Sequence, residues 1–146
     1  MENFSEILPN LYIGNYKAAK DKDFFKTANI KAVLNCTKDV PNHFRCSSDI
    51  EYLRIPVDDS LMEKDIDLMK KFLPIAIEFI HKHVDIQNEC ILVNCVEGKQ
   101  RSVICVLGYL MQKKKKSKSS AYNHILRKRP QAFHNGSNIN FERSLG

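Results

Sequence analysis

Cys95 and Arg101 stand six positions apart with Gly98 between them, in the run Val93-Asn94-Cys95-Val96-Glu97-Gly98-Lys99-Gln100-Arg101-Ser102. An ionised thiol is a strong nucleophile. A guanidinium is a planar fork of donors that grips two oxygens of a phosphoryl group and stays on them as the transferring group flattens, which lysine does less well. A free thiol near neutral pH is only a few per cent ionised, so the chemistry requires a positive setting such as a helix N-terminus and a nearby arginine. Ser102 can hydrogen-bond the sulfur and ease its departure from a thiophosphate. Val96, Glu97, Gly98, Lys99 and Gln100 would contribute main-chain N–H groups to an anion-binding concavity, with the missing Cβ of Gly98 permitting the tight turn. A transferred ester oxygen also needs a proton, and two carboxyl groups end the segment Tyr52-Leu53-Arg54-Ile55-Pro56-Val57-Asp58-Asp59-Ser60. Either is a candidate general acid, since neighbouring negative charge helps to keep a carboxylic acid protonated.

These groups act together only if the chain holds them at a strand-to-helix turn. Cys90-Ile91-Leu92-Val93 is a short apolar run of strand character, and Ser102 to Met111 has helical periodicity, so the loop between them receives the positive end of a helix. Taken singly, a cysteine after an apolar strand reads as a buried structural thiol, and an Asp-Asp pair as a turn or helix cap. The strand, the internal glycine, Ser102 and the following helix together favour the chemical reading.

At this point the sequence resembles the dual-specificity protein phosphatases, a compact branch of the cysteine-dependent phosphatases. The likeness runs almost end to end. It comprises Ile7-Leu8-Pro9-Asn10-Leu11-Tyr12-Ile13-Gly14-Asn15 with Ala18-Ala19, Ile30-Lys31-Ala32-Val33-Leu34-Asn35-Cys36-Thr37, Tyr52 to Ser60, the Cys95 loop, Gly108-Tyr109-Leu110-Met111, and Arg129-Pro130. The resemblance implies Cys95 as nucleophile, Arg101 as phosphate ligand and Asp59 as general acid, with Asp58 as the fallback. It implies that Asn138, ahead of Phe141, braces the phosphate loop, although the spacing from Pro130 is longer than usual. Histidine normally precedes the nucleophile in this family, and here Asn94 stands in its place, an amide that hydrogen-bonds but cannot become cationic. Slower turnover is the expected consequence. Lys99 matches a lysine found in the superfamily's inositol-lipid phosphatases, but the second lysine of those enzymes, right after the cysteine, is replaced by Val96. The implied substrates are phosphoserine, phosphothreonine and phosphotyrosine in proteins. The chain also lacks room for the long recognition loop of the tyrosine-only relatives, which implies a shallow cleft. Two alternatives remain: a phosphoprotein-binding module of low turnover, and a phosphatase for inositol lipids or RNA 5′ ends.

The chain's 146 residues, 43% of them hydrophobic, suit a single catalytic domain over residues 1–146 with its own core. The expected fold is α/β, a central mixed sheet flanked by helices with the phosphate loop at the strand-to-helix turn. Strand-like runs fall at Leu11–Ile13, 32–35, Glu51–Ile55 and 91–94. Residues 16–28 read as helical turns, and Ile66, Met69, Phe72, Leu73, Ala76, Phe79 and Ile80 share one helical face that Pro74 either kinks or begins. Ser117 or Ser119 would cap a last helix.

The five cysteines have no paired spacing, which points to a reducing compartment. Cys36 is expected to be a buried thiol, with a redox disulfide to Cys95 as the alternative, and Cys46, Cys90 and Cys105 read as structural. No zinc-type spacing appears, and neither metal nor cofactor is expected. No apolar run approaches the ~20 residues needed to cross a bilayer, and the first six residues do not read as a secretory leader. Membrane insertion is therefore not expected, and a cytoplasmic location is. The net charge of +6 comes largely from Lys113-Lys114-Lys115-Lys116, Lys118 and Arg127-Lys128-Arg129. A lysine run between two helices reads first as a solvated connection, with nuclear import left open. Nucleic acid is not the expected partner, because no aromatics are interleaved with the basic run.

Overall fold

Ile91, Leu92 and Val93 are fully buried because the strand that carries them is the middle one of a five-stranded sheet. The computed structural model describes residues 2–60, 62–133 and 141–145. Strands β1 (Phe4–Leu8), β2 (Leu11–Gly14), β3 (Ile30–Asn35), β4 (Glu51–Arg54) and β5 (Cys90–Asn94) lie in the order β1-β2-β5-β3-β4. β1 runs antiparallel to β2 and the other three pairings are parallel, so the sheet is mixed, as expected. The helices are α1 (Lys22–Ala28), α2 (Glu63–His81), α3 (Arg101–Gln112) and α4 (Lys118–Lys128).

Side chains of a strand alternate between faces, and here the alternation divides two cores. Ile91 and Val93 of β5, with Ala32 and Leu34 of β3, join the core that includes α2, α3 and α4. Leu92 and Val33 point the other way, into a smaller core with Phe24 and Phe25 of α1 and Ala18 and Ala19 of the turn before it. Gly108 lets α3 approach α2: a Cβ there would lie 3.0 Å from the Ile77 side chain. Pro74 lies inside α2 on its exposed side, so the helix begins at Glu63 and continues past the proline. Ser117, not Ser119, caps α4 by accepting a hydrogen bond from the Ser120 N–H, and Lys113–Lys116 form the connection between α3 and α4.

Strand β1 has no counterpart among the sequence expectations, because its polar residues break the alternation. Ser5 is buried and Glu6 exposed. Ser5 faces inward because its hydroxyl accepts a hydrogen bond from Arg129 Nη1 at 2.9 Å, a partner far along the chain that no local pattern reveals. Asn10, with φ of 74°, makes the turn into β2. Cys46 is exposed, contrary to its reading as a structural thiol.

The end of α2 is tied to α3 through one carboxylate. In the π-helical turn that follows α2, Asp85 Oδ2 accepts from Tyr109 Oη at 2.7 Å and lies 2.8 Å from His81 Nδ1, while its Oδ1 accepts from Lys114 Nζ at 2.8 Å. Burial pushes the Asp85 carboxyl up, but its bonds from Lys114, Tyr109 and His81 outweigh that and hold it below the usual carboxylate range. A carboxyl depressed in this way contributes stability above its unfolded-state pKa and loses that contribution as pH falls through its folded value. Asp85→Asn should cost about 1–3 kcal/mol in urea unfolding near neutral pH. The gap from wild type should narrow on acidification toward about pH 3, and a gap that stays constant would show that ionised Asp85 is not what ties these helices.

Candidate active site

Gly14, Asn35 and Arg54 end strands β2, β3 and β4 in register with Asn94 at the end of β5: Gly14 and Asn35 each pair with Asn94, and Arg54 with Asn35. Because these strands are parallel, the loops after them open at one end of the sheet, where α/β folds place their ligands. The segment with Asp58 and Asp59, the Cys95 loop and the turn at Tyr16 therefore meet.

The loop from Cys95 to Gln100 joins β5 to α3. Its carbonyls are drawn away from its centre. The Tyr16 N–H donates to the Val96 carbonyl at 2.9 Å, Arg129 donates to those of Glu97 at 3.5 Å and Gly98 at 2.8 Å, and the Phe133 N–H donates to that of Lys99 at 2.8 Å. In a planar trans peptide the C=O and the next N–H point in opposite directions, so these anchors turn the N–H groups of Glu97, Gly98, Lys99 and Gln100 inward. The result is a nest of donors followed by the positive end of α3. Gly98 has φ of +68°, and a Cβ there would lie 2.7 Å from both the Gly14 carbonyl oxygen and Arg129 Nη2. Both observations require glycine.

Cys95 sits at the base of the loop with 2% of its surface exposed, and its Sγ lies 3.2 Å from Ser102 Oγ. Arg101 is buried at the start of α3, where its Nη1 donates to the Val57 carbonyl at 2.8 Å. Its Nε, also buried, has no hydrogen-bond partner among the described residues. A guanidinium held from one side with a donor left over is suited to an incoming oxyanion. The same bond fastens the segment that carries Asp58 and Asp59 to the nucleophile loop. Lys38 pairs with Asp58 at 2.9 Å and holds its carboxyl below the usual carboxylate range, while Asp59 is exposed at the tip of the segment. Val96 and Glu97 are exposed on the loop's outer side, Lys99 is half-buried, and Gly98 and Gln100 are buried.

Asn94 is fully buried, and neither its Oδ1 nor its Nδ2 has a partner among the described residues. Asn138 lies outside the described residues. Cys36 is a buried thiol whose pKa burial pushes well up, and its Sγ lies 3.9 Å from both the Cys105 Sγ and the Leu34 carbonyl oxygen. Sequence reasoning missed Arg129 as part of the site. It is 1% exposed and bonds Gly98, Glu97 and Ser5, whereas the sequence shows it at the end of a basic run and in the Arg129-Pro130 motif, to which no role was given.

The model of the dual specificity phosphatase catalytic domain matches residues 11–145. The chain is 36% identical over 144 residues to human dual specificity protein phosphatase 9, covering 96% of this chain and 36% of that protein. It is 39% identical over 126 residues to the Drosophila melanogaster dual specificity protein phosphatase Mpk3, covering 86% of this chain and 29% of that one. The chain thus spans about a third of the length of these relatives. The solved structure of DUSP15 superposes with a TM-score of 0.82 at 29% identity, covering 99% of this chain and 86% of that one. The chain belongs to the dual specificity phosphatase family.

Removing the Arg129 donors while keeping its stem should loosen the loop. Arg129→Met leaves the Gly98 carbonyl buried and unpaired, a loss of about 1–3 kcal/mol. Competitive inhibition by tungstate should weaken about tenfold or more, and unaltered inhibition would mean that the loop holds its shape without this anchor.

Proposed function

We propose that this chain hydrolyses phosphoserine, phosphothreonine and phosphotyrosine esters of proteins through a cysteinyl-phosphate intermediate. The observation that carries this reading is the loop of inward-turned amides with Cys95 at its base and the spare Arg101 Nε beside it. The Cys95 thiolate attacks phosphorus in line as the ester P–O bond breaks, and loop amides and Arg101 hold the equatorial oxygens. Asp59, as the carboxylic acid, gives its proton to the departing side-chain oxygen. In the second step a water attacks phosphorus, Asp59 takes a proton from it, and the P–S bond breaks. The Ser102 hydroxyl stabilises the returning sulfur anion as phosphate leaves.

Asp59 is assigned the acid role over Asp58 on the ion pair with Lys38. A carboxylate held ionised by a neighbouring ammonium is a poor proton donor, and Asp58 is in that position. Lys99 serves as a rim charge that attracts phosphorylated substrates. An apolar Val96 exposed beside the nucleophile, where a second lysine would serve an inositol headgroup, speaks for protein over lipid substrates.

A second reading, a phosphoprotein-binding module with little turnover, is favoured by Asn94, whose amide is buried without a partner among the described residues where the family resemblance places histidine. Hydrolysis of an aryl phosphate and of phosphopeptides separates the two readings. Cys95→Ser should abolish turnover, and a wild-type rate no higher than that of Cys95→Ser would leave only the binding module. Asp59→Ala should slow alkyl phosphoester hydrolysis by about 10²–10⁴-fold. Its effect should be smaller on an aryl phosphate with a good leaving group, and equal losses on both would remove Asp59 from the acid role. Asn94→His should raise kcat for the aryl phosphate, and an unchanged or lower kcat would show that the asparagine does not limit the reaction.

A further inference from the structure

A groove of about 390 Å³ opens beside the phosphate loop, with Tyr16 on one wall, Val40 and Pro41 on the other, and Val96 where the groove meets the loop. Tyr16 is 39% exposed and Val96 37%, so two sizeable apolar side chains face water, one next to the nucleophile in sequence and the other joined to it by the Tyr16 N–H bond to the Val96 carbonyl. Burying such surface is favourable, and a mostly apolar cleft of this size has room for a large side chain.

Both walls are fixed in advance. Asn35 Nδ2 donates to the Val40 carbonyl at 2.8 Å and to Asn42 Oδ1 at 2.9 Å, and Thr37 Oγ1 accepts from the Val40 N–H at 3.0 Å while donating to Asn35 Oδ1 at 2.8 Å. Arg54 Nη1 donates to the Thr37 carbonyl at 3.0 Å. On the opposite side, Asn15 Oδ1 accepts from the N–H groups of Lys17 and Ala18, both at 3.0 Å, and the Tyr16 N–H is bonded to the Val96 carbonyl. A cleft with walls held in this way loses little entropy when a ligand enters.

We infer that the groove binds a large apolar side chain of the phosphorylated protein substrate, one to three residues from the phosphorylated position. The inference rests on the protein-phosphatase reading and adds sequence selectivity to it. Continuity with the site carries it: the Val96 side chain lines the groove while its carbonyl helps to shape the phosphate loop. An extended peptide advances about 3.3–3.6 Å per residue, so a segment with its phosphate over Cys95 reaches the groove within that span. Among the lining residues Lys20 and Asp39 balance in charge, and the Lys20 ammonium lies 5.6 Å from the Tyr16 ring centroid, so the groove selects by its apolar walls.

The test is a set of phosphopeptides that differ only in carrying Phe or Ala at each of about three positions on either side of the phosphorylated residue. An aryl phosphate without flanking residues runs in parallel. On wild type, kcat/KM should be about tenfold higher for Phe than for Ala at one position or more. Tyr16→Ala should cut that preference to about threefold or less, and Pro41→Glu should abolish it while leaving the aryl phosphate rate unchanged. The same peptides titrated onto Cys95→Ser by fluorescence polarisation should bind in the same order of preference, which keeps the result independent of turnover. Equal kcat/KM and equal affinity for Phe and Ala peptides would overturn the groove assignment alone, as would a preference that survives both substitutions. Hydrolysis of the aryl phosphate with no phosphopeptide cleaved or bound would overturn the protein-substrate reading and the groove with it.

Discussion

Successive peptide groups that turn their N–H ends toward one point repel one another, and the chain holds them so by fastening the opposite ends. Four loop carbonyls, from Val96 to Lys99, are bonded outward to the Tyr16 amide, the Arg129 guanidinium and the Phe133 amide. The anchors come from the turn after β2 and from the segment after α4, so a loop of a few residues draws on distant parts of the chain. Arg129 is buried at little apparent gain to the core. Burial pushes its pKa down, with Cys95 and Glu2 opposing, and its head is spent on carbonyls and on Ser5. Buried charge of this kind is rarely a net stabiliser, and here it serves to fix a backbone conformation.

The sheet supplies the second constraint. Gly14 and Asn35 both lie in register with Asn94, and Arg54 with Asn35, so the loops that leave these strands start level with one another. Arg101 then closes the distance between the two chemically active loops by donating to the Val57 carbonyl, one residue before Asp58. One guanidinium thereby sets the separation of acid and nucleophile and still presents to an anion a donor, Nε, without a partner among the described residues. Arginine suits both tasks because its donors diverge in a fixed plane, whereas the three donors of a lysine ammonium spread from a single atom.

How much of this was readable from the sequence depended on whether each contact is local. The run Cys90–Ser102 carries its own strand, glycine turn and helix start, and the structure places Cys95, Gly98, Arg101 and Ser102 as that pattern requires. The α/β character of the sheet was legible because the apolar runs of β2, β3 and β5 are separated by helical segments, whereas its mixed character rests on the antiparallel β1. Strand β1 was not legible, since Ser5 points inward only on account of Arg129, a residue 124 positions away. The role of Arg129 was hidden for the converse reason: the Arg129-Pro130 motif carries no chemistry of its own, and only tertiary structure separates the buried member of the Arg127-Lys128-Arg129 run from its neighbours. Pro74 was undecidable from periodicity, because an exposed proline on a long amphipathic helix leaves the buried stripe on either side intact.

Asn94 is the point where the chain departs from local consistency, and it does so next to the nucleophile. Two polar atoms buried without partners among the described residues carry a desolvation cost, of about 1–3 kcal/mol each where nothing compensates. Such costs persist where backbone placement overrides them, and the Asn94 main chain is doubly constrained: it pairs with both Gly14 and Asn35, and its carbonyl accepts from the Cys36 N–H at 2.8 Å. The identity of the side chain then decides the electrostatics of the loop. An imidazole there would titrate across neutral pH, whereas an amide does not. With asparagine in place, the positive field that an incoming phosphate meets at the base of the loop comes from main-chain dipoles and from the guanidinium groups of Arg101 and Arg129.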